Sequence, residues 1–225
     1  MKDAKYATHG HPLRWRIVAA LIVILVPARV WATGRSERFR VELALLAHEA
    51  RRASVVPLSA QRRAHMQSSL GVLSFLARSY CGEQRRSAQA VVARIHVLQN
   101  AFRARRYAAL ARALQALAHR YPVDFRGILP LRPTPMRLGT GRYLYRHLCA
   151  SCHIAGGNNQ FIPNLFAMAR ADSPATLLVE IMAGVRGTPA TALVNPLTSE
   201  QVASLATYFL YRGPGAPRAV AQHPK

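Results

Sequence analysis

Cys149-Ala150-Ser151-Cys152-His153 places two thiols and an imidazole within five residues. Thiols three residues apart on one helical turn can each add to a vinyl group of a haem. A histidine directly after the second thiol is then held under the iron as its proximal ligand. Competing chemistries ask for more than the chain offers. A structural zinc site needs two further ligands at matching spacing, and the third cysteine, Cys81, stands alone. A redox dithiol belongs in a βαβ setting, which this sequence does not display. The pattern points to one covalent haem c, held by Cys149 and Cys152, with His153 on the iron.

Such a site needs helices to carry it, and the flanks supply them. Thr198 with Gln201 three residues on forms a capping box that starts a helix. Val202, Leu205, Ala206 and Phe209 then recur at helical spacing on one face. Upstream, Gly141-Arg142-Tyr143-Leu144-Tyr145-Arg146-His147-Leu148 leads into the first cysteine. From about Arg137 to Arg212 the chain resembles the single-haem class I cytochromes c. The segment from Gly141 is similar to that family's first helix, which has a glycine eight residues before the first cysteine and a Leu-Tyr pair after it. The segment from Leu197 to Phe209 is similar to the closing helix. The resemblance implies that these two helices cross at close range, with Gly141 permitting the approach. Between them, Gly156-Gly157 can supply a turn away from the haem edge. Pro163-Asn164-Leu165 resembles the family's Pro-x-Leu segment. That likeness implies that the Pro163 carbonyl accepts a hydrogen bond from the other ring nitrogen of His153 and so orients it.

One part of the family pattern is missing. Its sixth iron ligand is normally a methionine in a Met-Pro pair after a glycine-ended segment. Here that stretch reads Ile181-Met182-Ala183-Gly184-Val185-Arg186-Gly187-Thr188-Pro189-Ala190. Depending on the alignment, the methionine position falls on Thr188 or Ala190, and neither can ligate. Met182 is a weak distal candidate, since a methionine at helical spacing is commonly core filler. Met168 and His223 are weaker still, and His147 is expected at the surface. His48, His65, Met66, His96 and His119 could reach in from the N-terminal half. An open or water-bound sixth position is the remaining reading. It implies a lower potential than Met/His ligation and possible binding of small ligands.

The N-terminus reads as an export signal: Lys2, Lys5, Arg14 and Arg16, then the apolar run Ile17–Val26, then Val30-Trp31-Ala32 as a cleavage site. This places the haem domain in the periplasm, anchored to the membrane if the signal stays uncleaved. The chain has a formal charge of +22. Residues 33–136 hold 18 arginines against five acids, and residues 137–225 hold eight Lys or Arg against three. That field favours docking to an acidic redox partner protein or an anionic membrane surface. Export argues against nucleic acid as the partner.

Residues 33–125 read as helix. Four apolar stripes mark it: Phe39, Leu43, Leu46, Ala47 and Ala50; Met66, Leu70, Leu73 and Ala77; Ile95, Leu98 and Phe102; Tyr107, Leu110, Leu114 and Leu117. Pro57 separates the first two stripes and Gly82-Glu83 the next pair. Arg103-Ala104-Arg105-Arg106 either bends the last stretch or forms a solvated face on one long helix. Cys81 is expected to pack as a small hydrophobe. The expected architecture is all-α: a signal peptide over 1–32, a basic helical bundle over 33–128, a proline-rich linker over 129–136, a class I cytochrome c domain over 137–213 and a disordered tail over 214–225. The expected function is one-electron transfer between periplasmic redox partners, with no substrate chemistry. The alternative is haem-based binding or sensing of a small ligand, and a third reading makes the basic bundle a tether.

Overall fold

The computed structural model describes residues 37–153, 164–183 and 197–212. Among them there is no strand, and the expected all-α class holds. Helix α1 covers 37–53, and α2 (Ala60–Glu83), α3 (Gln89–Arg103) and α4 (Tyr107–Arg120) follow it. The C-terminal part holds α5 (Pro135–Leu144), α6 (Leu165–Ala171), α7 (Pro174–Ala183) and α8 (Ser199–Arg212). A π-helical turn, Tyr145–Cys149, extends α5. No described helix is long and apolar enough to cross a membrane. The expected signal segment, 1–32, and the tail, 214–225, lie outside the described residues.

The breaks between the first four helices have local causes. Ser59 accepts from the Arg62 amide and caps α2, just after Pro57. Helix α2 runs through Gly82 and Glu83, so that pair does not itself separate the stripes. It stops where Arg85 takes φ 51°, with Arg85 N–H bonded to Gly82 and Arg86 N–H to Cys81. Helix α3 ends the same way: Arg105 has φ 55°, its N–H meets Phe102, and Arg106 N–H meets Ala101. Both are Schellman endings built on arginine where glycine is usual. A left-handed non-glycine residue costs roughly 1–2 kcal/mol, which packing must offset. The Arg103–Arg106 run is thus a break between two helices.

All four stripes converge on one core with Phe39, Leu43, Leu46, Met66, Leu70, Leu73, Ile95, Leu110 and Leu114 essentially sealed from water. Phe39, Tyr80 and Tyr121 stack across it, with centroids 5.2–5.5 Å apart. The Gln99 side-chain amide donates to the Leu70 carbonyl at 2.9 Å and ties α3 to α2.

A second core joins α5–α8 through Leu144, Phe166, Leu177, Leu178, Val202, Leu205, Ala206 and Phe209. Ile128 and Leu131 are buried in it too, and Pro135 and Met136 open α5, so the stretch expected as linker partly belongs to this core. At its centre α5 crosses α8 with almost no gap. A Cβ on Gly141 would lie 2.2 Å from the Ser204 carbonyl oxygen and 2.6 Å from Tyr208 Cβ. Arg137 clasps Glu200 with two bonds of 2.7 and 2.8 Å beside this crossing. The expected capping box of α8 is present: Thr198 N–H donates to Gln201 Oε1 at 2.8 Å, and Gln201 N–H to Thr198 Oγ1 at 3.2 Å. Asn164 accepts from the Phe166 and Ala167 amides and caps α6.

The two cores meet along α1. Its inner stripe faces the first core, while Val41 and Leu45 on another face pack against Val179 and Ala183 of α7. His48 Nε2 lies 3.7 Å from Asp172 Oδ1, at the end of α6.

Gly141→Ala tests the crossing. Alanine favours helix by up to about 1 kcal/mol, but overpacking against backbone costs roughly 1–3 kcal/mol or more. Net loss of stability in denaturant unfolding is expected, and unchanged or raised stability would reject the close contact.

Candidate haem-attachment site

The attachment turn begins where α5 changes its winding. Ala150 N–H bonds to the Tyr145 carbonyl at 2.8 Å, a reach of five residues, and this wider turn delivers Cys149 at the end of the helix. The Cys149 carbonyl then accepts from Cys152 N–H at 3.2 Å and from His153 N–H at 2.9 Å. Both thiols and the imidazole therefore sit on a single hydrogen-bonded turn, as the sequence spacing implied. The Tyr145 hydroxyl donates to the His153 carbonyl at 3.1 Å and closes the turn from the other side.

Tyr145 is anchored in turn. Its ring packs on Phe166 at 5.2 Å, Phe209 at 5.7 Å and Tyr208 at 5.8 Å. Offset and edge-on aromatic pairs add roughly 0.5–1.5 kcal/mol each beyond burial. Through this cluster α6 and α8 hold the root of the turn. Burial pushes the Tyr145 hydroxyl above its usual range, so it stays a donor.

Cys149 and Cys152 are both free thiols, the first half-buried and the second exposed. Burial, and then the neighbouring Cys152, push the Cys149 thiol above its ordinary value. That shift favours the protonated thiol over the thiolate. Cys149, Cys152 and His153 do not form a group that could hold a bare metal ion. A zinc ion would need them to converge on one point. A haem needs them apart, with thiols at the porphyrin edge and imidazole at the centre, so this donor set fits haem. Cys81 is buried in the first core, its thiol raised by burial, and behaves as the small hydrophobe expected.

Other sequence-derived candidates fall in three groups. Pro163, Thr188, Ala190 and His223 lie outside the described residues, as do Gly156 and Gly157. Met182 is half-buried in the last turn of α7 and packs against two hydrophobic clusters, the setting of a core methionine. Met168 is half-buried on α6, and His147 is exposed with its ring 4.3 Å from Tyr143. In the N-terminal part, Met66 is sealed in the first core and His96 and His119 are exposed. His65 lies 3.7 Å from Glu49. His48 alone of these stands at the contact with the C-terminal part. Its imidazole is held below its ordinary value because burial outweighs the Asp172 carboxylate.

Two features were not read from sequence. The hydroxyl role of Tyr145 is not encoded by any spacing rule, although the Leu-Tyr pair marked the position. The outer face of α1 could have been noticed, because Val41, Leu43, Ala44, Leu45, Leu46 and Ala47 leave that stretch apolar on every side.

Residues 137–209 match the family model described as cytochrome C oxidase, cbb3-type, subunit III. No curated protein and no solved structure matches the chain. The matched span begins within α5, ends within α8 and contains the attachment turn, while α1–α4 lie outside it. The C-terminal part of this chain is a class I cytochrome c-like domain.

Proposed function

We propose that the chain is an exported c-type cytochrome that carries one covalent haem and passes single electrons between periplasmic redox partners. Cys149 and Cys152 would hold the group, His153 would ligate its iron, and Pro163 would orient His153. The observation that supports this best is the free thiol pair and imidazole on one turn, closed by Tyr145 and rooted in the α5–α8 crossing. When bound, the haem supplies one-electron chemistry at its iron. The chain supplies fixed attachment points and, in Tyr145, Phe166, Tyr208 and Phe209, an apolar support behind them. The matched family is named for an oxidase subunit, and an oxidase-type complex is the acceptor class we favour. Substrate chemistry would then belong to the acceptor and not to this chain.

Ligand binding at an open distal site is the second reading. It draws on the absence of a thioether at Thr188 or Ala190 and on the core-like packing of Met182. Optical spectra of ferric and ferrous protein, with and without carbon monoxide, separate the two. The carrier reading expects a six-coordinate low-spin ferrous spectrum indifferent to carbon monoxide. A high-spin ferrous spectrum that shifts at once would replace it with ligand binding.

The basic N-terminal half is proposed to dock the protein on an acidic redox partner or an anionic membrane surface. Its arginines are mostly exposed, and Arg105, Arg106 and Arg112 line an open cavity of about 450 Å³ beside Tyr107. Screening over roughly 8–10 Å near physiological ionic strength removes most long-range attraction. Replacing these three arginines with glutamine in the full chain should slow electron exchange with an acidic partner at low salt. Rates should converge with wild type at high salt. Equal rates at low salt would reject docking through this face.

A further inference from the structure

One end of the N-terminal bundle, where α1 leads to α2 and α3 to α4, departs from an ordinary solvated surface in two respects. The connection after α1 reads Ser54-Val55-Val56-Pro57-Leu58. Leu58 turns back against the first core, but Val55 is 79% exposed and Val56 is 55% exposed. The backbone holds them there, since the N–H groups of Val55 and Val56 both bond to the Arg52 carbonyl, at 3.2 and 2.9 Å. Two adjacent aliphatic side chains thus project into water from a hydrogen-bonded turn. Covering them would release that apolar surface from water.

The second respect is charge. Segments 51–58 and 103–112 contain Arg51, Arg52, Arg103, Arg105, Arg106 and Arg112, and no Asp or Glu. All six arginines are exposed. Among the described residues none of them pairs with a carboxylate. The two features adjoin: Ala53 and Ser54 line the same open cavity of about 450 Å³ as Arg105, Arg106 and Arg112. Helix α4 also begins in the wall of that cavity, with no side-chain cap on its first turn. Its first N–H groups have no partner within the helix and carry the positive end of its dipole, which adds to the attraction for an anion.

An occupant has to suit both the arginines and the projecting valines. Guanidinium groups bind phosphate through paired, charge-assisted hydrogen bonds. Aliphatic side chains beside such cations reach the boundary between lipid headgroups and acyl chains. An acidic protein surface would answer the arginines but would set Val55 and Val56 against carboxylates. We propose that this end of the bundle docks on an anionic phospholipid membrane, with Val55 and Val56 inserted among the headgroups and Arg105, Arg106 and Arg112 around a lipid phosphate. This rests on the docking role given above to the basic half, and names the membrane as its partner.

The test is flotation of full-length holoprotein with vesicles of phosphatidylcholine alone or mixed with phosphatidylglycerol. Neutral vesicles read any binding that the apolar run Ile17–Val26 contributes by itself. Wild type should prefer the mixed vesicles, and salt should weaken the preference. Arg105→Gln/Arg106→Gln/Arg112→Gln should weaken that binding by about 100-fold, at about fivefold for each arginine near the surface. Val55→Ser/Val56→Ser, which leaves the charge intact, should weaken it by about tenfold through lost apolar burial. Arg78→Gln/Arg85→Gln/Arg86→Gln removes the same charge near the opposite end of α2 and should lose far less. Hydrogen exchange at 51–56 should slow on mixed vesicles. Wild-type binding by the valine variant, equal loss in both arginine triples, or no preference for anionic vesicles would each overturn the proposal. So would protection of 105–109 by inorganic phosphate in a protein that does not float with vesicles, which would mark a site for free anions. Loss of electron exchange with an acidic protein in the Arg105/Arg106/Arg112 variant, without vesicle binding by wild type, would overturn the membrane and leave the docking role standing. Unchanged exchange together with no vesicle binding would defeat both.

Discussion

The backbone contact between α5 and α8 is the constraint on which the C-terminal architecture depends. Gly141 meets the Ser204 carbonyl so closely that no side chain fits between them. Helices usually pack 8–10 Å apart because side chains separate them. Removing the side chain at the crossing lets two helices distant in sequence lie almost in contact. That brings Arg137 to Glu200 and places Tyr145 among Phe166, Tyr208 and Phe209. The turn bearing Cys149, Cys152 and His153 grows directly from the end of α5. Its position is therefore set by a contact that lies eight residues upstream of the first thiol.

Much of this was legible because the signals are local. C-x-x-C-H, the Thr198/Gln201 capping box and the four apolar stripes each depend on residues within one or two helical turns. The close approach at Gly141 was foreseen through family likeness, and the geometry agrees with it. What escaped was set by tertiary context. Nothing nearby in sequence announces the π-helical winding of Tyr145–Cys149. The ends of α2 and α3 were misplaced or left open because arginine, not glycine, adopts the left-handed position there. Arg38 and Glu42 look like ordinary surface charges until Ala183, 145 residues away, is brought against them.

Charge in this protein is used in two ways. Most arginines of the N-terminal half stay hydrated at the surface, where each contributes to a long-range field more than to stability. Arg38 is buried and directional, and its effect is confined to one carbonyl. The same half of the molecule thus supplies a diffuse electrostatic surface and a localised structural contact. A cytochrome domain of some 75 residues has little apolar area to bury by itself. Both haem and the outer face of α1 would add to that core, which gives a physical reason for the two halves to be joined.

The central claim is that the turn after α5 binds one haem through two thioether bonds. Intact mass spectrometry of the denatured protein, purified from a host with haem-attachment machinery, reads this most directly. The account predicts a mass increased by one haem per chain, and peptide mapping that places the adduct on Cys149 and Cys152. An unmodified mass, or a haem that leaves on denaturation, would contradict it.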